Sequence, residues 1–223
     1  LACGSGCTCA GGATTENNCQ DNLDNDGDGA LDCVDADCNA RTCGAGCTCT
    51  AGGKQEVLCN DSLDNDGDGQ IDCADASCAA VSCGAGCTCA GGVKFEAACA
   101  DGIDNDGDQT PDCGDEDCNA LACGAGCLCV GGAKAESNCV DGLDNDGDGK
   151  LDCGDSDCAA VACGTGCLCM GAAKSETACA DGLDNDTDGK ADCPDPDCNA
   201  RSCGSGCTCT GGTKQETTCI DGE

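Results

Sequence analysis

Six cysteines return every forty residues along this chain, with an aspartate-rich loop between them. A quartet starts at Cys3, Cys43, Cys83, Cys123, Cys163 and Cys203, each followed by Cys at +4, +6 and +16. A pair follows at +30 and +35, from Cys33 and Cys38 to Cys193 and Cys198. A fixed period of this length means an array of small modules, not one globular core. The repeat boundaries expected are 1–40, 41–80, 81–120, 121–160 and 161–200, with a partial sixth repeat over 201–223.

Such modules have little to bury. Phe95 is the one aromatic residue, and there is no Trp, Tyr or His. Cysteine supplies 34 residues and glycine 37. With so few large apolar side chains, hydrophobic burial cannot hold the fold by itself, and covalent or metal cross-links must take its place. Cysteine at this density reads as a disulfide scaffold, which persists in secreted and surface proteins, so an extracellular or cell-surface location is expected. The net charge of −34 repels nucleic acid and anionic membranes and attracts cations. No apolar window is long enough to span a bilayer. The chain starts at Leu1 and its one Met is Met170, which suggests a processed product or an excerpt of a longer array.

Each repeat has two parts. The first, from Cys43 to Cys59 (CGAGCTCTAGGKQEVLC), reads as a β-hairpin. Cys47 and Cys49 alternate with threonines and should share one face; Gly52-Gly53 offers a turn; Lys54 to Val57 alternates again. Nothing shows helical periodicity. The fold class expected is therefore a small disulfide-rich tandem repeat of short β-hairpins and calcium-binding loops, almost without helix and elongated. Cysteine parity favours bridges within the pair (Cys33–Cys38) and two bridges within each quartet, although six cysteines allow 15 connectivities.

The second part carries the chemistry. From Asp24 the loop reads DNDGDGALDCVD, with carboxylates at positions 1, 3, 5, 9 and 12 and Gly29 at position 6. Calcium takes six to eight hard oxygen ligands in flexible geometry, and this spacing of acids around a sharp glycine turn is a calcium-loop pattern. The candidate ligands in loop one are Asp24, Asp26, Asp28, Asp32 and Asp35, with the Ala30 carbonyl at position 7. Loop two offers Asp64, Asp66, Asp68, Asp72 and Asp75, and loop three Asp104, Asp106, Asp108, Asp112 and Asp115. Loop four offers Asp144, Asp146, Asp148, Asp152 and Asp155, and loop five Asp184, Asp186, Asp188, Asp192 and Asp195. A solvated acidic turn is the competing reading, but it needs no fixed spacing of acids and glycine. Asp21, Asp61, Asp101, Asp141 and Asp181 precede the loops, as do Glu16, Glu56, Glu96, Glu136 and Glu176. They either cap the loops or support them from outside, or pair with nearby lysines at the surface.

The string DxDxDGxxDxxD with flanking cysteines resembles the thrombospondin type 3 repeat. The longer ExxCxDGxDNDxDGxxDCxDxDC is similar to Asp/Cys-rich metal-binding repeats of secreted bacterial surface proteins. The resemblance covers the second part of each repeat; the CGxGCxC part matches no named pattern. It implies calcium organising a chain with little secondary structure, stapled by disulfides, with the five aspartates of each loop as ligands. Loop three departs from the pattern, with Gln109 at the glycine position and Pro111 where Leu31 and Ile71 stand in loops one and two. Gln109 calls for a left-handed backbone, so loop three is expected to be the weakest site. Loop five has Thr187 at position 4, expected to be tolerant. A further copy starting at Asp221 stops at Glu223 and is too short for a site.

The function expected is structural: a calcium-rigidified, disulfide-stapled rod serving as a fibre subunit or surface stalk. Self-association head-to-tail or side by side could extend it. Metallothionein-like metal storage is one alternative and calcium-dependent adhesion another. No catalytic set is visible: His is absent and the glycine runs lack a strand-to-helix setting. The sequons Asn60-Asp61-Ser62 and Asn185-Asp186-Thr187 read as chance matches, the second inside a loop where a glycan is awkward, whereas Thr48, Thr50, Thr88, Thr208 and Thr210 are candidates for O-glycans on a surface fibre.

Overall fold

The computed structural model describes residues 4–217. Asp221 to Glu223, and with them the truncated loop copy, lie outside the described residues, as do Cys3 and Cys219. The chain divides into two compact units, Leu1–Asp117 and Cys118–Glu223. Each is a tandem array of small antiparallel sheets and aspartate loops, and among the described residues there is no α-helix. Correspondingly, no helix there is long and apolar enough to cross a membrane.

The first hairpin pairs β1 (Cys7–Ala10) with β2 (Ala13–Glu16). The next sheet has three strands, β3 (Thr42–Gly44), β4 (Cys47–Thr50) and β5 (Gly53–Glu56), where two were expected. The extra strand is the CG step at the head of the quartet, which pairs with β4 across a register shift between Thr42 and Gly44. Three strands give a sheet the independent stability that an isolated hairpin lacks. The hairpin turn falls one residue earlier than the Gly-Gly reading: Thr50 pairs with Gly53, leaving Ala51-Gly52 as the two-residue loop. Both have positive φ, +51° and +83°, the geometry whose twist matches antiparallel strands. Cys47 and Cys49 do share one face, which is buried, while Thr50 is exposed.

After β2 the chain winds through the aspartate loop into two short 3-10 turns, Asp32–Val34 and Ala36–Cys38, and after β5 into Asp72–Ala74 and Ala76–Cys78. The core they close is made of sulfur. Cys19, Cys33, Cys38, Cys43, Cys47 and Cys49 form one buried cluster, and the second repeat repeats it with Cys59, Cys73, Cys78, Cys83, Cys87 and Cys89. Leu23, Leu63, Leu143 and Leu183 are each more than half exposed. Here the disulfide cluster does what aliphatic side chains do in an ordinary domain.

The connectivity corrects the parity argument. Cys43–Cys47 does lie within the quartet, with Cα atoms 5.1 Å apart. Cys33 and Cys38, however, do not pair with each other. Cys38 turns back to Cys19 (Cα–Cα 5.7 Å), and Cys33 reaches forward to Cys49 of the following repeat (4.9 Å). The same pattern recurs as Cys59–Cys78 and Cys73–Cys89, and as Cys139–Cys158 and Cys153–Cys169. Cys33 and Cys38 sit on successive 3-10 turns with Asp35 between them, and each faces a different hairpin. Parity cannot distinguish closure within a repeat from exchange between neighbours, because each internal repeat gives and receives one cysteine. Backbone bonds reinforce the forward link: Ala40 N–H donates to the Cys49 carbonyl at 2.8 Å, and Cys49 N–H to the Arg41 carbonyl at 2.8 Å.

Candidate metal centre

The loop is wound by its own carboxylates. Asp24 Oδ1 accepts the N–H groups of Gly27 (2.6 Å) and Asp28 (3.2 Å), and its Oδ2 accepts Gly29 N–H at 3.0 Å. Asp26 Oδ1 accepts Asp28 N–H, and Asp28 Oδ1 accepts Ala30 N–H. Loops two and four repeat this: Asp64 accepts from Gly67 and Gly69, and Asp144 from Gly147 and Gly149. Short aspartates that bond backbone groups two to five residues ahead favour this tight winding.

Two carboxylates anchor the loop from outside its turn. Asp32 sits in the left-handed region (φ +47°) and accepts from the N–H groups of Asp21 and Asn22, each at 3.0 Å. Both Asp32 oxygens are thus engaged in closing the loop entrance. Glu16 is fully buried; its Oε2 accepts Asn25 N–H at 3.0 Å and its Oε1 accepts Asp32 N–H at 2.7 Å. Glu56 and Glu136 clasp their loops in the same way. Of the two roles open to these glutamates, this is the cap; Lys150 and Lys190 pair instead with Asp148 and Asp188. Asp21 is likewise a cap, accepting Leu23 N–H through Oδ1 and the Asn25 amide through Oδ2.

Asp35, at position 12, differs from the others. Its Oδ1 accepts Asp37 N–H at 2.7 Å, opening the second 3-10 turn. Its Oδ2 is buried with no partner, and so are the Oδ2 atoms of Asp75, Asp115, Asp155 and Asp195. These residues are 1–4 % exposed. A buried carboxylate oxygen without a donor costs several kcal/mol, by order of magnitude, unless a cation or hydrogen bond satisfies it. Burial also raises the Asp66 carboxyl above its ordinary range, and repulsion from Asp75, Asp68 and Asp64 adds to the shift. Asp26, Asp106, Asp146 and Asp186 are raised for the same first reason, with neighbouring loop carboxylates adding to it. The carboxylates at positions 1, 3, 5 and 12 therefore act on one another as a converging set, whereas position 9 is turned to the loop entrance. Hard oxygens around an unsatisfied buried carboxylate fit a calcium ion.

The two irregular loops show their strain in the backbone. Gln109 has φ +84° and keeps the bond to Asp104 Oδ2 (2.9 Å) that Gly29 makes in loop one. This is the left-handed conformation the sequence called for. Position 4 is less tolerant than it reads: Gly27, Gly67, Gly107 and Gly147 all have φ between +85° and +88°, and Thr187 is held at +66°. A β-branched residue there is an outlier. Its hydroxyl turns to the Asp186 carbonyl at 2.6 Å.

One supporting pair is not apparent from the loop motif. Asn65 at position 2 lays its side chain on Gly46, where an added Cβ would lie 2.5 Å from Asn65 Oδ1. Gly46 also has φ +70°. The signal available was internal: both the Asn of LDND and the second Gly of CGxGC recur in every full repeat.

No protein-family model, no curated protein and no solved structure matches this chain.

Proposed function

We propose that this chain is an extracellular structural protein whose five aspartate loops each hold one calcium ion, and that it serves as a fibre or filament subunit or as a surface stalk. The observation that carries the proposal is the buried, unpartnered Oδ2 at position 12 of every loop. In loop one, Asp24, Asp26, Asp28 and Asp35 would hold the ion, with the Ala30 carbonyl available at position 7. Calcium supplies the positive charge that offsets their mutual repulsion. Asp32 closes the loop entrance and Glu16 clasps the loop to its hairpin. The forward bridge Cys33–Cys49 then ties each loop covalently to the next sheet, so order in one loop is passed to its neighbour. The many disulfides suit an oxidising, extracellular-type environment.

Limited proteolysis and negative-stain microscopy, with and without a calcium chelator, test this reading. Calcium-dependent protease resistance together with filaments or uniform extended particles supports it. Compact particles, equally resistant in chelator, would overturn it.

A further inference from the structure

At four joints within the two units two disulfides lie side by side. Cys33 and Cys49 form one and Cys43 and Cys47 the other. The sulfurs of Cys33, Cys43 and Cys49 lie within 4.8 Å of one another, and all three residues are buried. The same holds for Cys73, Cys83 and Cys89, for Cys153, Cys163 and Cys169, and for Cys193, Cys203 and Cys209. Cys47 is bonded to Cys43, so a fourth sulfur lies beside the group of three. A tetrahedral tetrathiolate with metal–sulfur bonds of ~2.3 Å has sulfur–sulfur edges of ~3.8 Å. Three sulfurs gathered this closely, with a fourth bonded to one of them, come from the 3-10 turn that carries Cys33 and from two paired strands that carry Cys43, Cys47 and Cys49. Cys19 and Cys38 bond to each other and are not among these three sulfurs.

We propose that each of these four joints is a second, redox-gated metal site. With its bridges closed it is a covalent staple. With both bridges opened by a phosphine or thiol reductant it is a four-thiolate ligand set for a soft divalent cation such as zinc or cadmium. Each disulfide takes up two electrons and two protons to give two thiols; a phosphine supplies the electrons and leaves as its oxide, with oxygen and protons drawn from water. The metal then displaces four protons from four thiols, giving a tetrathiolate complex of charge 2−. No oxygen ligand is needed, so this site selects metals by softness where the aspartate loops select hard ions. The inference does not depend on calcium occupancy of the loops.

The test uses the full chain, kept in calcium, treated with excess phosphine and titrated with cobalt(II) as the probe. Thiol alkylation and mass spectrometry count the bridges opened, and circular dichroism follows the strands. The expected result is an intense tetrahedral d–d spectrum with thiolate charge-transfer bands and four thiols protected per cobalt. The double variant Cys33→Ser/Cys49→Ser should lose one cobalt equivalent, and Cys19→Ser/Cys38→Ser should lose none. Equal losses from both variants, octahedral spectra, binding only after the strand signal has collapsed, or joint bridges that stay closed in phosphine would each overturn the proposal.

Discussion

Glu16 Oε1 accepts the Asp32 N–H at 2.7 Å across sixteen residues, and the Asp32 carboxylate in turn closes the loop entrance on the Asp21 and Asn22 N–H groups. The glutamate is a clasp between hairpin and loop, not a surface charge. Replacing Glu56 by Gln keeps the size but points an N–H₂ at one of two backbone donors, Asn65 N–H or Asp72 N–H. The cost expected is about 1–3 kcal/mol in that repeat. Thermal unfolding of Glu56→Gln should show a destabilised chain, and calorimetry should show one calcium equivalent weakened with the others unchanged.

The irregular loops offer a test in the direction of gain. Gln109 and Thr187 both occupy left-handed backbone that glycine takes in the other loops. Gln109→Gly and Thr187→Gly should each relieve strain, offset in part by the larger entropy glycine loses on folding, leaving at most about 1 kcal/mol. That corresponds to up to about fivefold tighter calcium binding at loops three and five. Site-resolved titration should find these two loops weakest before substitution and levelled with the others after it.

Protonation supplies a third test, with a sign that depends on calcium. In the metal-free chain Asp66, Asp106, Asp146 and Asp186 have raised carboxyl pKa values, burial first and carboxylate neighbours adding. A carboxyl raised on folding gives stability that is fully present below its unfolded value and lost as pH rises through its folded value. These raised carboxyls should therefore stabilise the decalcified chain as pH falls toward the ordinary carboxylate range of ~4, opposed by Asp104 and Asp148, which are lowered. The calcium-loaded chain should become less stable over the same range, because protons compete for the ligand oxygens. Melting curves of the two forms should have opposite slopes against pH; parallel slopes would count against convergence of the carboxylates.

Covalent structure can be read directly. Digestion without reduction should release cross-linked peptides for Cys19–Cys38, Cys33–Cys49 and Cys43–Cys47, and for their equivalents in later repeats. A Cys33–Cys38 peptide would contradict the fold. Removing Cys33–Cys49 by a double serine variant opens a loop of sixteen residues, at a cost of about 3 kcal/mol in the chain-entropy model.

Most of the architecture was legible because it repeats. Hairpins and aspartate loops announce themselves by local spacing, and five copies separate spacing from accident. The bridge pattern escaped because it depends on contacts between copies. The partner of Cys33 lies in the next hairpin, and a periodic sequence looks the same whichever neighbour receives the bond. The third strand escaped because Thr42-Cys43-Gly44 is too short to read as a strand until β4 pairs with it. Thr187 looked tolerated because position 4 contributes no ligand, yet its cost lies in the backbone angle. The Asp32 carboxylate shares the ligand spacing of its neighbours, and only the fold shows both its oxygens turned to Asp21 and Asn22.

The most direct measurement is calcium titration of the decalcified chain by calorimetry, beside a variant carrying Asn at Asp35, Asp75, Asp115, Asp155 and Asp195. The account predicts five calcium ions bound per chain at or below about millimolar calcium, the range of extracellular modules, and loss of that binding in the variant. Absence of saturable binding in the native chain, or equal binding by the variant, would contradict it.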